Sequence, residues 1–203
     1  MFDLVLGTGN KKKLVELRSM LSADRYSLQS LSEIPEAIEV EETGTTFVEN
    51  AALKATEQAK HLGRWVLGED SGLAVDALKG APGVYSARYS GVHGNDEANN
   101  DKLLSELADV PEAKRTAHYH CQIALSDPEG NVRLTAGGTC SGLIRRERTG
   151  SGGFGYDPLF EIREYHKTFA ELDLIVKQAL SHRSRALREL IPKLDRLVRE
   201  LNA

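Results

Sequence analysis

The chain has 203 residues, 40% of them hydrophobic and 28% charged, enough to bury a sizeable core in one domain or one domain with a smaller lobe. A formal net charge of −4 provides no basic field for nucleic acid, so any phosphate compound must be held by local groups. No apolar run could span a membrane, Met1 to Leu6 lacks the length and basic flank of a signal peptide, and Cys121 and Cys140 make no disulfide framework; these features imply a cytoplasmic protein with reduced thiols and a small partner.

Phe2 to Leu6 read as a strand, followed by a tight turn, Gly7-Thr8-Gly9-Asn10, and a helix whose Leu14, Leu17 and Leu21 recur at helical spacing. A strand, a glycine loop and a helix start offer free backbone N–H groups and the positive end of a helix dipole, and Lys11, Lys12 and Lys13 follow at once. The junction suits an anion without being a Walker A sequence; the plainer alternative is a βα turn ahead of a solvated lysine face. Residues 24–40 read as a connection with an edge strand. Thr46-Phe47-Val48-Glu49 then matches a capping box, and Val48, Ala52, Ala55, Ala59 and Leu62 form an apolar stripe ending at Gly63. Glu49 thereby has a structural task. Glu41 and Glu42 lie on irregular backbone ahead of that helix, which returns the chain toward the next acids.

Those acids, Glu69 and Asp70, sit between two short apolar runs in Val66-Leu67-Gly68-Glu69-Asp70-Ser71-Gly72-Leu73-Ala74-Val75, with Gly68 and Gly72 read as bends that present them. Neighbours on extended backbone point to opposite faces, so one acid can meet a cation and the other a basic neighbour. An acidic turn between two strands is the bland alternative. Gly80 to Tyr89 form a rigid loop, and Asn95 to Leu107 a polar, peripheral helix burying only Leu103, Leu104 and Leu107. Extended runs at Thr116–Leu125, Val132–Ala136 and Thr139–Ile144, with a turn at Asp127 to Asn131, predict an antiparallel meander. Strands separated by helices in the first part and consecutive strands in the second predict an α/β fold, a mixed sheet with two lobes and a ligand cleft. His118 and His120 share a strand face without a third ligand at suitable spacing, which favours a structural role.

Thr149 to Pro158 places four glycines around Phe154 and Tyr156. Glycines let backbone approach something flat while an aromatic stacks on it, and a nucleobase fits; a glycine-rich hairpin with aromatics in the core is the alternative. Near the end, Lys177 precedes Ser181-His182-Arg183, with Ser181 a plausible N-cap, and Leu187, Leu190, Leu194, Leu197 and Leu201 form a helical stripe that Pro192 is expected to kink or split.

Taken in order, Thr8-Gly9-Asn10…Lys13, Glu41-Glu42-Thr43-Gly44-Thr45-Thr46-Phe47…Glu49-Asn50-Ala51, Glu69-Asp70-Ser71-Gly72-Leu73-Ala74-Val75-Asp76, Gly83-Val84-Tyr85-Ser86-Ala87-Arg88-Tyr89, Gly153-Phe154-Gly155-Tyr156-Asp157-Pro158, Ala170-Glu171-Leu172 and Ser181-His182-Arg183 resemble the dITP/XTP pyrophosphatase family, the inosine triphosphatases that clear non-standard purine nucleotides. The resemblance runs from the first strand to the last helix. It implies a single pyrophosphatase domain over residues 1–203, an elongated mixed β-sheet flanked by helices, two lobes with a central cleft, a homodimer, and Mg²⁺-assisted hydrolysis of ITP, dITP and XTP to the monophosphate and pyrophosphate. It further implies Asp70 as the catalytic acid and metal ligand and Glu41 as the second metal position. Substrate contacts would come from Thr8, Gly9, Asn10, Lys11, Lys12, Lys13 and Ser71 on the phosphate side, and from Phe154, Gly155, Tyr156, Asp157, Lys177, His182 and Arg183 around the base and sugar. Individual roles for Lys11 and Lys12 have no support beyond their place in the loop.

Two departures matter. Asp-Asp often precedes Ser-Gly in this family, whereas Glu69 stands first here, which makes it support for Asp70. An acid often precedes the lysine matched by Lys177, and here Val176 does. A pyrophosphatase of modified pyrimidine nucleotides and a nucleotide sensor without turnover are the competing functions. Carboxylates that would repel a triphosphate unless a cation intervened argue against the sensor.

Overall fold

The computed structural model describes residues 1–203. Its strands are β1 (Phe2–Gly7), β2 (Tyr26–Ser30), β3 (Val66–Val75), β4 (Thr116–Ser126), β5 (Val132–Ile144), β6 (Phe160–Ile162) and β7 (Lys167–Thr168). The helices are α1 (Lys11–Met20), α2 (Phe47–Leu62), α3 (Asp96–Glu106), α4 (Leu174–Leu180) and α5 (His182–Leu201). The strands form one sheet in the order β2-β1-β3-β4-β5-β6-β7, an α/β fold with mixed pairing. β1 runs parallel to both β2 and β3, while β5, β6 and β7 pair antiparallel. Two compact units share the chain, one of residues 1–70, 121–138 and 183–203, the other of 71–120 and 139–182.

In the first unit the sheet is covered on both faces, which is why β1 is a continuous apolar run with Leu4, Val5 and Leu6 all fully buried. On one face Leu14, Leu17, Ala186, Leu187, Leu190 and Leu194 from α1 and α5 pack against Leu4, Leu6, Leu67 and Ile123. The other face meets α2 through Ala51, Ala55 and Ala59. The buried stripe of α2 is thus one residue out of phase with the predicted stripe at its start, and Val48 is 53% exposed. Small residues are required there because Gly68 on β3 comes so close that a Cβ on it would lie 2.4 Å from the Ala51 carbonyl oxygen. Gly68 is a point of close approach, and β3 continues through Gly68, Glu69, Asp70, Ser71 and Gly72 without the two bends expected of it.

Similar reasons explain two other departures. The runs expected at 132–136 and 139–144 are one strand, β5; Gly137 admits the Gln122 amide of the neighbouring strand, which a Cβ would meet at 2.7 Å. Pro192 neither splits α5 nor ends it. Its missing N–H would have bonded to the carbonyl of Arg188, and both residues are exposed, so the lost bond falls on the solvent side while the buried stripe continues on the opposite side.

The second unit has a core of Leu73, Val75, Leu103, Leu107, Tyr119, Cys140, Tyr156, Phe160 and Phe169. β4 alternates buried and half-buried residues from Thr116 to His120, as one solvated face requires, and is fully buried from Ile123 to Ser126 in the first unit. On the solvated face His118 Nδ1 lies 3.0 Å from Ser141 Oγ, and His120 Nδ1 lies 3.2 Å from Thr139 Oγ1. Positions rise on one strand as they fall on the other, the register of an antiparallel pair.

Candidate active site

The turn from β1 into α1 carries the first group of candidates. Asn10 caps α1, its side-chain oxygen accepting from the Lys12 and Lys13 amides at 3.0 and 3.2 Å, while the Asn10 amide donates to Thr8 Oγ1 at 3.2 Å. Thr8 and Asn10 therefore shape the loop as well as lining it. Lys11 and Lys12 are exposed, and Lys13 turns inward so that its Nζ lies 3.3 Å from Glu69 Oε1.

Adjacent acids on extended β3 face opposite ways, and each has its own cation. Glu69, 2% exposed, is gripped by Arg183 through two parallel bonds, Nε to Oε2 at 2.9 Å and Nη2 to Oε1 at 2.8 Å. Arg183 Nη1 also donates to Glu16. Burial works against the Arg183 charge, but the Glu69 carboxylate outweighs it and raises its pKa. Lys13, Glu69, Arg183 and Glu16 make an array of two cations and two anions, in which the Glu69 side chain meets Lys13 and Arg183.

Asp70, 5% exposed, meets Lys54 Nζ at 2.8 Å and the Asn50 amide at 3.4 Å. Lys54 also bonds Glu42 Oε1 at 2.9 Å and the Glu69 carbonyl at 3.2 Å. Asn50 in turn accepts from the Gly44 amide at 2.8 Å, tying the acidic loop to α2. Burial pushes the Asp70 carboxyl above its ordinary value, with Lys54 pulling the other way. For Lys54 burial is the largest single influence and acts to lower the pKa, yet Asp70 and Glu42 together carry it upward. The two directions agree physically: a desolvated carboxylate holds its proton more tightly, and an ammonium between two carboxylates holds its own.

Asn50 belongs to the motif quoted above without a role of its own, and Lys54, four residues on along the same helix, is a site residue that only the fold reveals. Of the two acids in the loop ahead of α2, Glu42 touches Lys54, while Glu41 is exposed. Glu49 caps α2, its Oε2 accepting from the Thr45 and Thr46 amides, as the capping box predicts. Asp70 and Glu42 are hard oxygen donors of the kind Mg²⁺ takes, and the Lys54 ammonium lies within 2.9 Å of both.

The second unit contains the glycine-aromatic loop. Of its two aromatics, Tyr156 is 3% exposed and donates through its hydroxyl to the Ser86 carbonyl at 2.9 Å, so it belongs to the core. Phe154 is half-buried and is the ring that can stack. Asp157 Oδ2 accepts from the Phe154 amide at 2.8 Å and from Lys177 Nζ at 2.7 Å, and that ammonium stands 5.1 Å from the Phe154 ring centroid. His182 stacks on Tyr119 at 4.7 Å with an interplanar angle of 9°. Ser71, the first residue of this unit, is half-buried.

Residues 4–193 match the model of the Ham1 family. The chain belongs to that family. It is 70% identical over 198 residues to a dITP/XTP pyrophosphatase of Rhodopirellula baltica, covering 98% of this chain and 95% of that protein. To a dITP/XTP pyrophosphatase of Desulforamulus reducens it is 52% identical over 194 residues, 96% of each. A HAM1 protein structure from Coxiella burnetii superimposes with a TM-score of 0.88 at 40% identity, covering 97% of this chain and all of the other. A structure described as nucleoside-triphosphatase / dITP/XTP pyrophosphatase, from Mycobacterium abscessus, gives 0.77 at 45% identity over 95% of this chain and all of the other. The Ham1 fold and the ordered motifs therefore agree.

Proposed function

We propose that this Ham1-family chain is a hydrolase that converts non-standard purine nucleoside triphosphates, ITP, dITP and XTP, to the monophosphate and pyrophosphate, with residues 1–203 acting as one pyrophosphatase domain. The observation that carries the reading is Asp70, a buried carboxylate with a raised pKa and a lysine 2.8 Å away, in a chain 70% identical to a protein named for this activity. An acid in that state accepts a proton from water more readily than an ordinary aspartate.

In the proposed reaction a water oxygen attacks the α-phosphorus, the bond from that phosphorus to its bridging oxygen breaks, and pyrophosphate leaves. Asp70 takes the water's proton. Lys13, with the loop of Thr8, Gly9 and Asn10 and the flanking Lys11 and Lys12, neutralises the triphosphate, and Ser71 adds a contact beside the acid. Glu69 and Arg183 keep Lys13 in place. Mg²⁺, held by Asp70 with Glu41 or Glu42, would offset charge on the phosphate oxygens.

Phe154 stacks on the base, with Gly155, Tyr156 and Asp157 shaping its loop, and Lys177, His182 and Arg183 supply donors around base and sugar. Hypoxanthine and xanthine accept at the C6 oxygen, whereas adenine presents an amino donor and leaves buried donors unpaired, a mismatch of about 1–3 kcal/mol. The family resemblance supports a homodimer, and the thiols and charge support a cytoplasmic location; no helix is long and apolar enough to cross a membrane. Pyrophosphate release from ITP, XTP, dITP, ATP, GTP, UTP and TTP with Mg²⁺ tests the assignment. Preference for ITP and XTP is expected; rates on ATP or UTP equal to those on ITP would refute it.

A further inference from the structure

The polar helix α3 buries the wrong residues for a peripheral element. Its buried face is Asn99, Asn100 and Leu103, with the two amides 2% and 1% exposed. Burying amides is unfavourable unless they are engaged: Asn99 accepts from the Ser90 amide at 2.7 Å and donates to the Ala87 carbonyl at 3.4 Å, while Asn100 and the neighbouring Asp96 turn to the glycine-aromatic loop. Asn95 takes over the capping task by accepting from the Ala98 amide, which leaves the Asp96 carboxylate available. Asp96 Oδ2 accepts from the Gly155 amide at 2.8 Å. Asn100, one turn further on, donates from Nδ2 to the Gly155 carbonyl at 2.9 Å and to the Asp96 carbonyl at 2.8 Å. Both backbone polar groups of Gly155 are thus held by two residues at i and i+4 of one helix.

Gly155 has φ +62°, the left-handed region, and a Cβ there would meet open space, so glycine is needed for the backbone conformation and not for room. A residue in that conformation sets the direction of its neighbours. On one side is the half-buried Phe154 ring, and two residues on is Asp157, which binds the Phe154 amide and Lys177. The start of the loop is fastened to the same helix, Arg148 Nη2 bonding Asp101 Oδ1 at 2.7 Å and the Glu97 carbonyl at 3.1 Å. Asn100 Oδ1 is buried with no partner, an unfavourable arrangement for stability alone. It is consistent with an amide kept for what its NH₂ group does.

We infer that Asp96 and Asn100 are positioning residues for base recognition: they clamp Gly155 so that Phe154 and the Asp157–Lys177 pair are presented to the purine in one fixed arrangement. The inference rests on the proposed role of Phe154 in base stacking. It gives α3 a place in specificity through the loop it holds.

The test compares Asp96→Ala, Asn100→Leu and Asp96→Asn with the wild type, measuring kcat and KM for ITP and ATP, inhibition by pyrophosphate as a report on the phosphate cradle, and thermal melting. Asp96→Ala and Asn100→Leu should raise KM for ITP about tenfold with kcat little changed, lower the ITP-to-ATP preference, and leave pyrophosphate inhibition alone. Asp96→Asn retains an oxygen for the Gly155 amide and should restore most of the loss. Asn100→Leu removes the orphaned acceptor but also leaves the Gly155 carbonyl unpaired, so a lowered melting temperature is expected, and the KM for ITP should rise while kcat and pyrophosphate inhibition hold. Unmoved KM and preference in both clamp variants overturn the inference, as does an equal loss in KM, kcat and pyrophosphate inhibition that tracks lowered melting. A wild type without preference for ITP refutes the pyrophosphatase reading, and the inference falls with it; a selective wild type whose variants are equally selective refutes the clamp alone.

Discussion

Replacing Asp70 with asparagine separates chemistry from stability, because the structure places opposing forces on that carboxylate. The change keeps volume and removes the charge. If Asp70 is the proton acceptor, turnover on ITP should fall by roughly 10²–10⁴-fold, which at about 1.4 kcal/mol per decade is about 3–6 kcal/mol of transition-state stabilisation. Folding should respond far less. The folded pKa of Asp70 is raised by burial, so its contribution to stability is greatest below the unfolded value and is lost as pH rises through the folded one; at pH 8 the ionised form is a net desolvation cost that asparagine removes. Against this, Lys54 loses one partner at 2.8 Å and keeps Glu42 at 2.9 Å. With the two effects opposed, the melting temperature should move by no more than about 3 °C, equivalent to about 1 kcal/mol in a chain of this size. The acid limb of kcat/KM in the wild type should lie above the ordinary aspartate value of 3.8, activity rising with pH as the carboxylate ionises, and should vanish in the variant. Steady-state pyrophosphate release across pH, with calorimetry on the same samples, reads all three quantities. Turnover within tenfold of wild type, or an acid limb that survives the substitution, would refute the argument.

Three further outcomes follow from named contacts. Lys54→Met leaves Asp70 and Glu42 without their shared cation, so the melting temperature should drop by roughly 5–10 °C, about 2–4 kcal/mol, and the acid limb should move to higher pH. Gly68→Ala drives a methyl to within 2.4 Å of the Ala51 carbonyl oxygen on rigid helix backbone, and chemical denaturation should show a loss of about 2–3 kcal/mol; wild-type stability would mean that α2 yields more easily than its packing implies. Phe154→Leu keeps bulk without a stacking face, which should raise KM for ITP about tenfold while inhibition by tripolyphosphate is unchanged, a split visible in one inhibition series.

Read residue by residue, the sequence by itself determined whatever depends on local pattern. The first strand, glycine turn and lysine-bearing helix, the capping box of Thr46 and Glu49, the alternation in β4 and the amphipathic last helix all follow from spacing and composition, because each is a property of neighbours along the chain. The opposite facing of Glu69 and Asp70 also follows from extended backbone alone. Only the tertiary structure decided which partner each acid met. Arg183 lies 114 positions from Glu69, and Lys54 is 16 from Asp70 across the rest of α2 and the connection into β3; no local period encodes such distances. The role of Gly68 and Gly137 is equally invisible from sequence, since glycine as a bend and glycine as a point of close approach are written with the same letter. The polar stretch 95–107 shows the limit most clearly. Asn99 and Asn100 read as solvated surface until the fold brings backbone groups to them, those of Ala87 and Ser90 to Asn99 and the Gly155 carbonyl to Asn100.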